Sequence, residues 1–293
     1  HVYEGDVKEM KAYKKIILSV VALTTLGVLQ ACGSSAKTSS DKKTSEKVTT
    51  ITVATDADTK PFTYSENGKA TGYDVEVARA VFKELPEYKL NIEITDFDSV
   101  IAGVDSGRYQ LAANDIGWKK ERAEKYYFSS PLSKSNNAVA VKSDVKVNGF
   151  EDLAGKSTEV LPSANFTTTL KAYNDKNPDK ASKLNYVDGN YPIASRLADV
   201  DSGKIDFILY DAISLKTIIK DKGLTSLKVE NIKADTVDEH DGLEYFIFTK
   251  DKAGKELQGK VDKVLKKLQA NGTLKELSEK YFGGDFVPSA TKN

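Results

Sequence analysis

Apolar and polar residues alternate over 51–55, which predicts a strand, and the period then changes. In TGYDVEVARAVFKEL, starting at Thr71, the residues Val77, Ala78, Val81 and Phe82 fall on one helical face. Asp74 suits the N-cap of that helix and Pro86 its stop. Leu90, Ile92 and Ile94 restore the two-residue period of a strand. Asp98 follows as N-cap of a helix that buries Val100, Ile101 and Val104 before Gly107. This β-α-β-α-β order favours a parallel sheet. A strand over 137–142 leads into a second series: strand 157–161, helix 165–173, strand 184–187, helix 191–202, strand 205–210. A last strand over 244–248 and two helices, 255–270 and 273–281, close the chain, and their position after the second series is compatible with a return to the first.

Two stretches nearly repeat each other. Val104 to Asp115 reads VDSGRYQLAAND, and Val200 to Asp211 reads VDSGKIDFILYD. Gly107 and Gly203 each end an apolar helical pattern, where a residue without Cβ adopts the left-handed conformation cheaply. The short apolar strands that follow each stop on a carboxylate, Asp115 or Asp211. Two such units predict two α/β lobes, each with an acid at a strand's C-terminal edge, where open α/β sheets bind ligands. The alternative is turn chemistry repeated by chance.

The N-terminal region changes this picture only by adding an address. Met10 opens a cationic head with Lys11, Lys14 and Lys15, followed by an apolar run from Ile16 to Val28. That run is too short to span a ~30 Å hydrocarbon core comfortably and reads as an export signal over 10–31, with 1–9 before it read as a tag or upstream scar. LQAC, ending on Cys32, resembles a bacterial lipobox, in which the cysteine is lipidated and tethers the protein to the membrane. The alternative is a buried free thiol. Residues 32–48 are poor in apolar and aromatic side chains and predict a flexible linker.

The remaining length suits two modest domains. The 43 basic and 43 acidic residues balance, so nothing points to nucleic acid as a partner. With one cysteine, no intramolecular disulfide is available. The two histidines, His1 and an isolated His240, suggest no metal cluster, and no cofactor is implied.

Six segments together resemble the family 3 solute-binding proteins of bacterial ABC importers. They are PFTYSENGKATGYDVEVARAV from Pro61, FDSVIAGVDSGRYQLAAND from Phe97, KKERAEKYYFSSPL from Lys119, EDLAGKSTEVL from Glu151, SGKIDFILYD from Ser202 and LQANGTLKELSEKYFG from Leu268. The resemblance implies a type II periplasmic-binding-protein-like α/β fold. Its two lobes, 49–136 with 237–288 and 137–236, are joined by a two-strand hinge and enclose a ligand cleft. It further implies a monomer that binds a small zwitterionic amino acid, docks on permease subunits and stays lipid-anchored at the outer face of a Gram-positive-like cell membrane.

By the same resemblance, Arg122 falls where the family clamps the ligand's α-carboxylate. A guanidinium fork is suited to that task. The alternative is a solvated surface arginine, although Lys119 and Lys120 at a helix start are not explained by helix stability. Asp211 falls at the α-ammonium acceptor; it is also a candidate N-cap for AISLKTII, and the two roles can coexist. Gly117 offers only backbone where relatives often carry Ser or Thr. Thr59 replaces a common aromatic lid, leaving Phe97 and Trp118 as apolar walls and Lys60, Asp58 and Asp115 as polar contacts. Ser163, Ala164 and Asn165 form a helix start suited to an anion.

An enzyme is the competing class, because dehydratase-like relatives share this fold and fold does not fix function. Its acid-base candidates would be Asp115, Asp211, Lys60 and Glu244, with no recognisable pair among them in the sequence. An adhesin or signalling receptor would use the lipid tether equally well. ANDIGWKKER is similar to the cystine-type subgroup, so cystine or a related polar amino acid is the expected ligand, with glutathione or a basic amino acid as alternatives.

Overall fold

The first strand forms where the period-two pattern predicts it, and β1 (Thr49–Thr55) joins the largest of the sheets, one of six strands. The structure, a computed structural model, describes residues 47–233 and 239–289. The tag, the export signal, Cys32 and nearly all of the linker lie outside the described residues. After β1 come a small meander, β2 (Asp58–Thr59), β3 (Thr63–Glu66) and β4 (Lys69–Thr71), then α1 (Tyr73–Lys83), β5 (Tyr88–Ile94), α2 (Phe97–Asp105) and β6 (Leu111–Ile116). The chain continues through α3 (Lys120–Lys125), β7 (Tyr126–Phe128) and β8 (Ser133–Lys134). A second group follows: β9 (Asn137–Lys142), β10 (Ser157–Val160), α4 (Asn165–Lys176), β11 (Lys183–Tyr186), α5 (Ile193–Asp201), β12 (Ile208–Asp211), α6 (Ala212–Lys222) and β13 (Leu227–Asn231). Finally β14 (Leu243–Thr249), α7 (Lys252–Ala270) and α8 (Thr273–Phe282) return to the first sheet.

The first sheet has the order β5-β1-β6-β14-β7, with β8 also on β14. Strands β5, β1 and β6 run parallel, as the helical crossovers between them require, and β14 enters antiparallel. Helices α1, α7 and α8 cover one face through Val77, Val81, Val261 and Leu265, and α2 covers the other through Val100 and Val104. The second group mixes parallel and antiparallel pairing, with Thr158 bridging Phe207 in parallel. Strand β9 lies between β12 and β13 and is antiparallel to both, while β10 pairs in parallel with β11. Its core is again double: α5 and α6 pack on one face of β9 and β12, and α4 with Phe150 and Leu153 on the other. Among the described residues no helix is long and apolar enough to cross a membrane.

Two capping assignments change. The N-cap of α1 is Gly72, not Asp74, because the backbone there takes φ +108° and a Cβ would stand 2.5 Å from the Phe62 carbonyl oxygen. Asp74 moves inside the helix and is fully buried. Asp96, not Asp98, caps α2, accepting from the Ser99 N–H at 2.9 Å. The near-repeat holds at its glycines, with φ +79° at Gly107 and +81° at Gly203, while its strands start later than the pattern indicates.

The segments that pass between the sheets lie side by side. The Ser135 N–H donates to the Gly242 carbonyl at 2.7 Å, and a Cβ on Gly242 would meet the Ser135 carbonyl oxygen at 1.8 Å. Only glycine lets the two crossings approach this closely.

Candidate functional site

The near-repeat delivers its two acids to one place. Asp115 near the end of β6 and Asp211 at the end of β12 line a common cavity of about 340 Å³ between the sheets. Asp115 has φ +49°, a conformation that Asp tolerates better than most residues and that gathers at functional sites. Its N–H donates to Asp74 Oδ2 at 2.8 Å, which holds the turn from behind. Asp211 does cap α6, accepting from the Ser214 N–H at 3.0 Å, and still faces the cavity. Burial pushes the Asp211 carboxyl up to about 6, against hydrogen bonds from Ser214 and Ser135 that lower it. Burial also pushes Asp115 well above the usual carboxylate range, helped by the neighbouring charges of Asp211, Asp74 and Asp56. Such a site is relieved by a cation.

From the acids the cavity follows one face of α4, past Asn165, Thr168, Thr169 and Ala172 to Lys176. That stripe spans about 16 Å at the helical rise. Trp118 and His240 form the facing wall, stacked with ring centroids 4.1 Å apart and 10° between planes. His240 Nδ1 shares a hydrogen bond with the Tyr245 hydroxyl at 2.9 Å, which fixes the imidazole edge. Lys119 and Lys120 also line the space, and burial lowers the Lys119 ammonium.

Of the residues expected at the site, Asp115, Gly117, Trp118, Asn165 and Asp211 come together around this cavity. Gly117 sits against the Asn165 side chain, so closely that a Cβ would stand 2.6 Å from its amide nitrogen. Arg122 does not line the cavity but lies directly behind it. The residue is 3% exposed, and its guanidinium donates to the Gly117 carbonyl at 2.7 Å and the Ser163 carbonyl at 2.8 Å. Burial lowers its pKa to about 10. Ser163 also donates through its hydroxyl to Asp98, so the start of α4 is held from the first sheet by two side chains.

Phe97, Lys60 and Thr59 are elsewhere. Phe97 is 8% exposed in the core under α2. Lys60 pairs with Asp221 at 2.5 Å, and Thr59 bonds to Asp56 and to the Tyr210 hydroxyl. Asp58, expected as a polar contact, accepts instead from the Ile193 N–H at the start of α5 at 3.0 Å. These residues tie the two groups of elements together away from the cavity. His240, Phe166 and Tyr173 line it and were not expected. Helical spacing along α4 could have found the last two; nothing in sequence brings His240 to Trp118.

Residues 51–284 match the family model of the bacterial extracellular solute-binding proteins, family 3. The chain is 33% identical to the probable amino-acid-binding protein YxeM of Bacillus subtilis, over 95% of this chain and 98% of that protein. It is 30% identical to the L-cystine-binding protein TcyA of the same organism, over 93% and 98%. A structure solved in work on glutathione import via GshT and the cystine ABC importer TcyBC of Streptococcus mutans is 39% identical, covering 83% of this chain and 98% of that one, with a TM-score of 0.77.

Proposed function

The chain belongs to the bacterial extracellular solute-binding proteins of family 3, and from that membership we propose that it is the receptor of an ABC importer for an extended zwitterionic amino acid, L-cystine first. Residues 49–136 with 237–288 then act as one lobe and 137–236 as the other, closing on the ligand before it passes to the permease. The observation that carries the ligand's length is the cavity along α4, with acids near one end and Lys176 at the other. An α-ammonium fits between Asp115 and Asp211, and a distant carboxylate fits the lysine end. Thr59, Lys60 and Asp58 add nothing to this length, since they are engaged elsewhere. The same cavity length favours glutathione as a second reading, because it too is long and ends in a carboxylate. A basic amino acid would set its far cation against Lys176.

The test is a thermal-shift screen of the protein amino acids, L-cystine and glutathione on chain refolded to strip carried-over ligand. A true ligand at a thousandfold excess over Kd adds about 4 kcal/mol, which raises the melting temperature by several degrees. A shift with glutathione and none with cystine moves the assignment to the second reading. No shift with any of them overturns the receptor reading.

We read the chain as a binding protein and not an enzyme, because Glu244, one of the acid-base candidates, is sealed with Asp74 behind Asp115, both at most 2% exposed. Recovery of the ligand unchanged supports this, and turnover opposes it. The lipobox reading assigns Cys32 as the anchor. Replacing it with serine is expected to release the protein into the medium, since a diacyl modification supplies the two chains that stable anchoring needs. Equal membrane retention of Cys32→Ser sinks the anchor.

A further inference from the structure

Behind the cavity wall lies a group of acids that ligand contact does not explain. Asp74 on α1 is fully buried and Glu244 on β14 is 2% exposed. Asp74 Oδ2 accepts from the Asp115 N–H at 2.8 Å, and Glu244 Oε1 accepts from the Ser133 hydroxyl at 2.9 Å. The remaining oxygens, Asp74 Oδ1 and Glu244 Oε2, have no donor, and neither does Asp115 Oδ2. Yet the Asp74 and Glu244 carboxyls stand within hydrogen-bonding reach of each other. Two carboxylates can bond only across a proton.

The neighbours offer no other compensation. Around the group stand Asp56 at the end of β1, Asp211 at the start of α6, the Tyr210 hydroxyl, and Tyr73, whose own hydroxyl is committed to the Leu132 carbonyl at 2.6 Å. Asp285 faces Tyr73. Among the described residues no lysine, arginine or histidine forms an ion pair with Asp74, Asp115 or Glu244. His240, nearby in sequence, is turned to Trp118 and Tyr245.

We propose that Asp74 and Glu244 form a proton-sharing carboxyl pair that positions Asp115, and that a ligand ammonium docking on Asp115 drives a proton from this cluster into solvent. The proposal rests on the reading that a cationic group docks at Asp115. The pair's role is positioning: Asp74 holds the Asp115 backbone in its left-handed turn, and the shared proton keeps the acids from repelling the turn apart. Burial pushes Asp74 to about 7 and Glu244 well above its ordinary range, so the proton is retained near neutrality. A bound cation favours the ionised cluster, and the proton leaves to buffer. By linkage, affinity rises with pH, up to tenfold per unit for each proton released.

Three measurements test this on the full chain. Infrared difference spectra of ligand-free protein at pH 7 are expected to contain a protonated carboxyl band that Glu244→Gln removes; glutamine keeps the Ser133 contact and can donate to Asp74. Absence of that band in the wild type overturns the pair, whether or not any variant folds. The ligand-free stability of the wild type is expected to fall from about pH 4 to about pH 7, because the folded state holds protons that the unfolded chain has lost. Asp74→Asn is expected to flatten that slope, and an unchanged slope counts against the pair. Calorimetric titration with L-cystine, glutathione and L-arginine in two buffers of different ionisation enthalpy is expected to give release of roughly one proton per bound ligand. Glu244→Gln is expected to reduce that release severalfold. Binding with buffer-independent heat overturns the coupling. If none of the three amines binds, docking at Asp115 fails and the coupling fails with it, while the infrared band still decides the pair.

Discussion

Asp211→Asn is expected to weaken ligand binding at least thirtyfold without lowering the melting temperature of the ligand-free protein. Asparagine caps a helix about as well as aspartate, so the bond to the Ser214 N–H and the start of α6 survive the change. What disappears is the charge facing the ligand's ammonium. Truncating one partner of a buried charge pair costs about 2–5 kcal/mol, and each ~1.4 kcal/mol is tenfold in Kd. Stability moves the other way. The Asp211 carboxyl is raised to about 6 in the fold, so its contribution is complete below the ordinary carboxylate range and is lost as pH rises through 6. Asparagine has no such loss at pH 7. Calorimetry with L-cystine and with its des-amino analogue separates the roles: the amino acid suffers and the analogue is nearly indifferent. Equal weakening of both ligands makes Asp211 a structural cap. Asp211→Ala, which removes cap and charge together, is expected to lose about 0.5–2 kcal/mol of stability as well.

That double role was legible because both halves are local. A carboxylate ending a strand before AISLKTII announces a cap, and its repetition at Asp115 announces a site. Most of the first sheet was legible for the same reason, since β1, β5 and the face of α1 follow simple periods. The errors occur where distant chain decides. Asp74 has good capping chemistry, but the Phe62 carbonyl presses on residue 72 and only a glycine fits there, so the cap moves and Asp74 is carried into the interior. Strand β9 was read correctly in its bounds, but its antiparallel partners are set by which segment crosses from the other sheet. Lys60 and Asp58 carry suitable charge for a ligand, yet Asp221 and the start of α5 claim them first. The pairing of Trp118 with His240 joins residues far apart in the chain and leaves no periodic trace.

Arg122→Ala is expected to reduce affinity by more than a hundredfold and, unlike Asp211→Asn, to destabilise the fold. Arg122 sits in the last turn of the six-residue helix α3, too short to be stable alone, so burial of this side chain is part of what fixes the helix. The guanidinium bridges the Gly117 carbonyl on one side of the cavity and the Ser163 carbonyl on the other. Both carbonyls lie close in the chain to residues that line the cavity, Trp118 and Asn165 among them, so the arginine acts on the ligand site through the wall it holds in place. Removing the arginine strips a donor from the buried Gly117 carbonyl, at about 1–3 kcal/mol, and from the partly buried Ser163 carbonyl at less. For a chain of this size each 1 kcal/mol shifts the melting temperature by roughly 2–4 °C, so a fall of several degrees is expected without ligand. Arg122→Lys separates bridge from charge. Lysine keeps the cation but presents a point charge where two carbonyls need a planar fork, so it is expected to recover part of the stability and little of the affinity. A Kd for Arg122→Ala within threefold of wild type, with the melting temperature lowered, reduces Arg122 to a bridge between the two halves. A Kd and a melting temperature both unchanged contradict its burial. Recovery of full affinity by lysine means that a charge at this position, not the two-carbonyl fork, sustains the site.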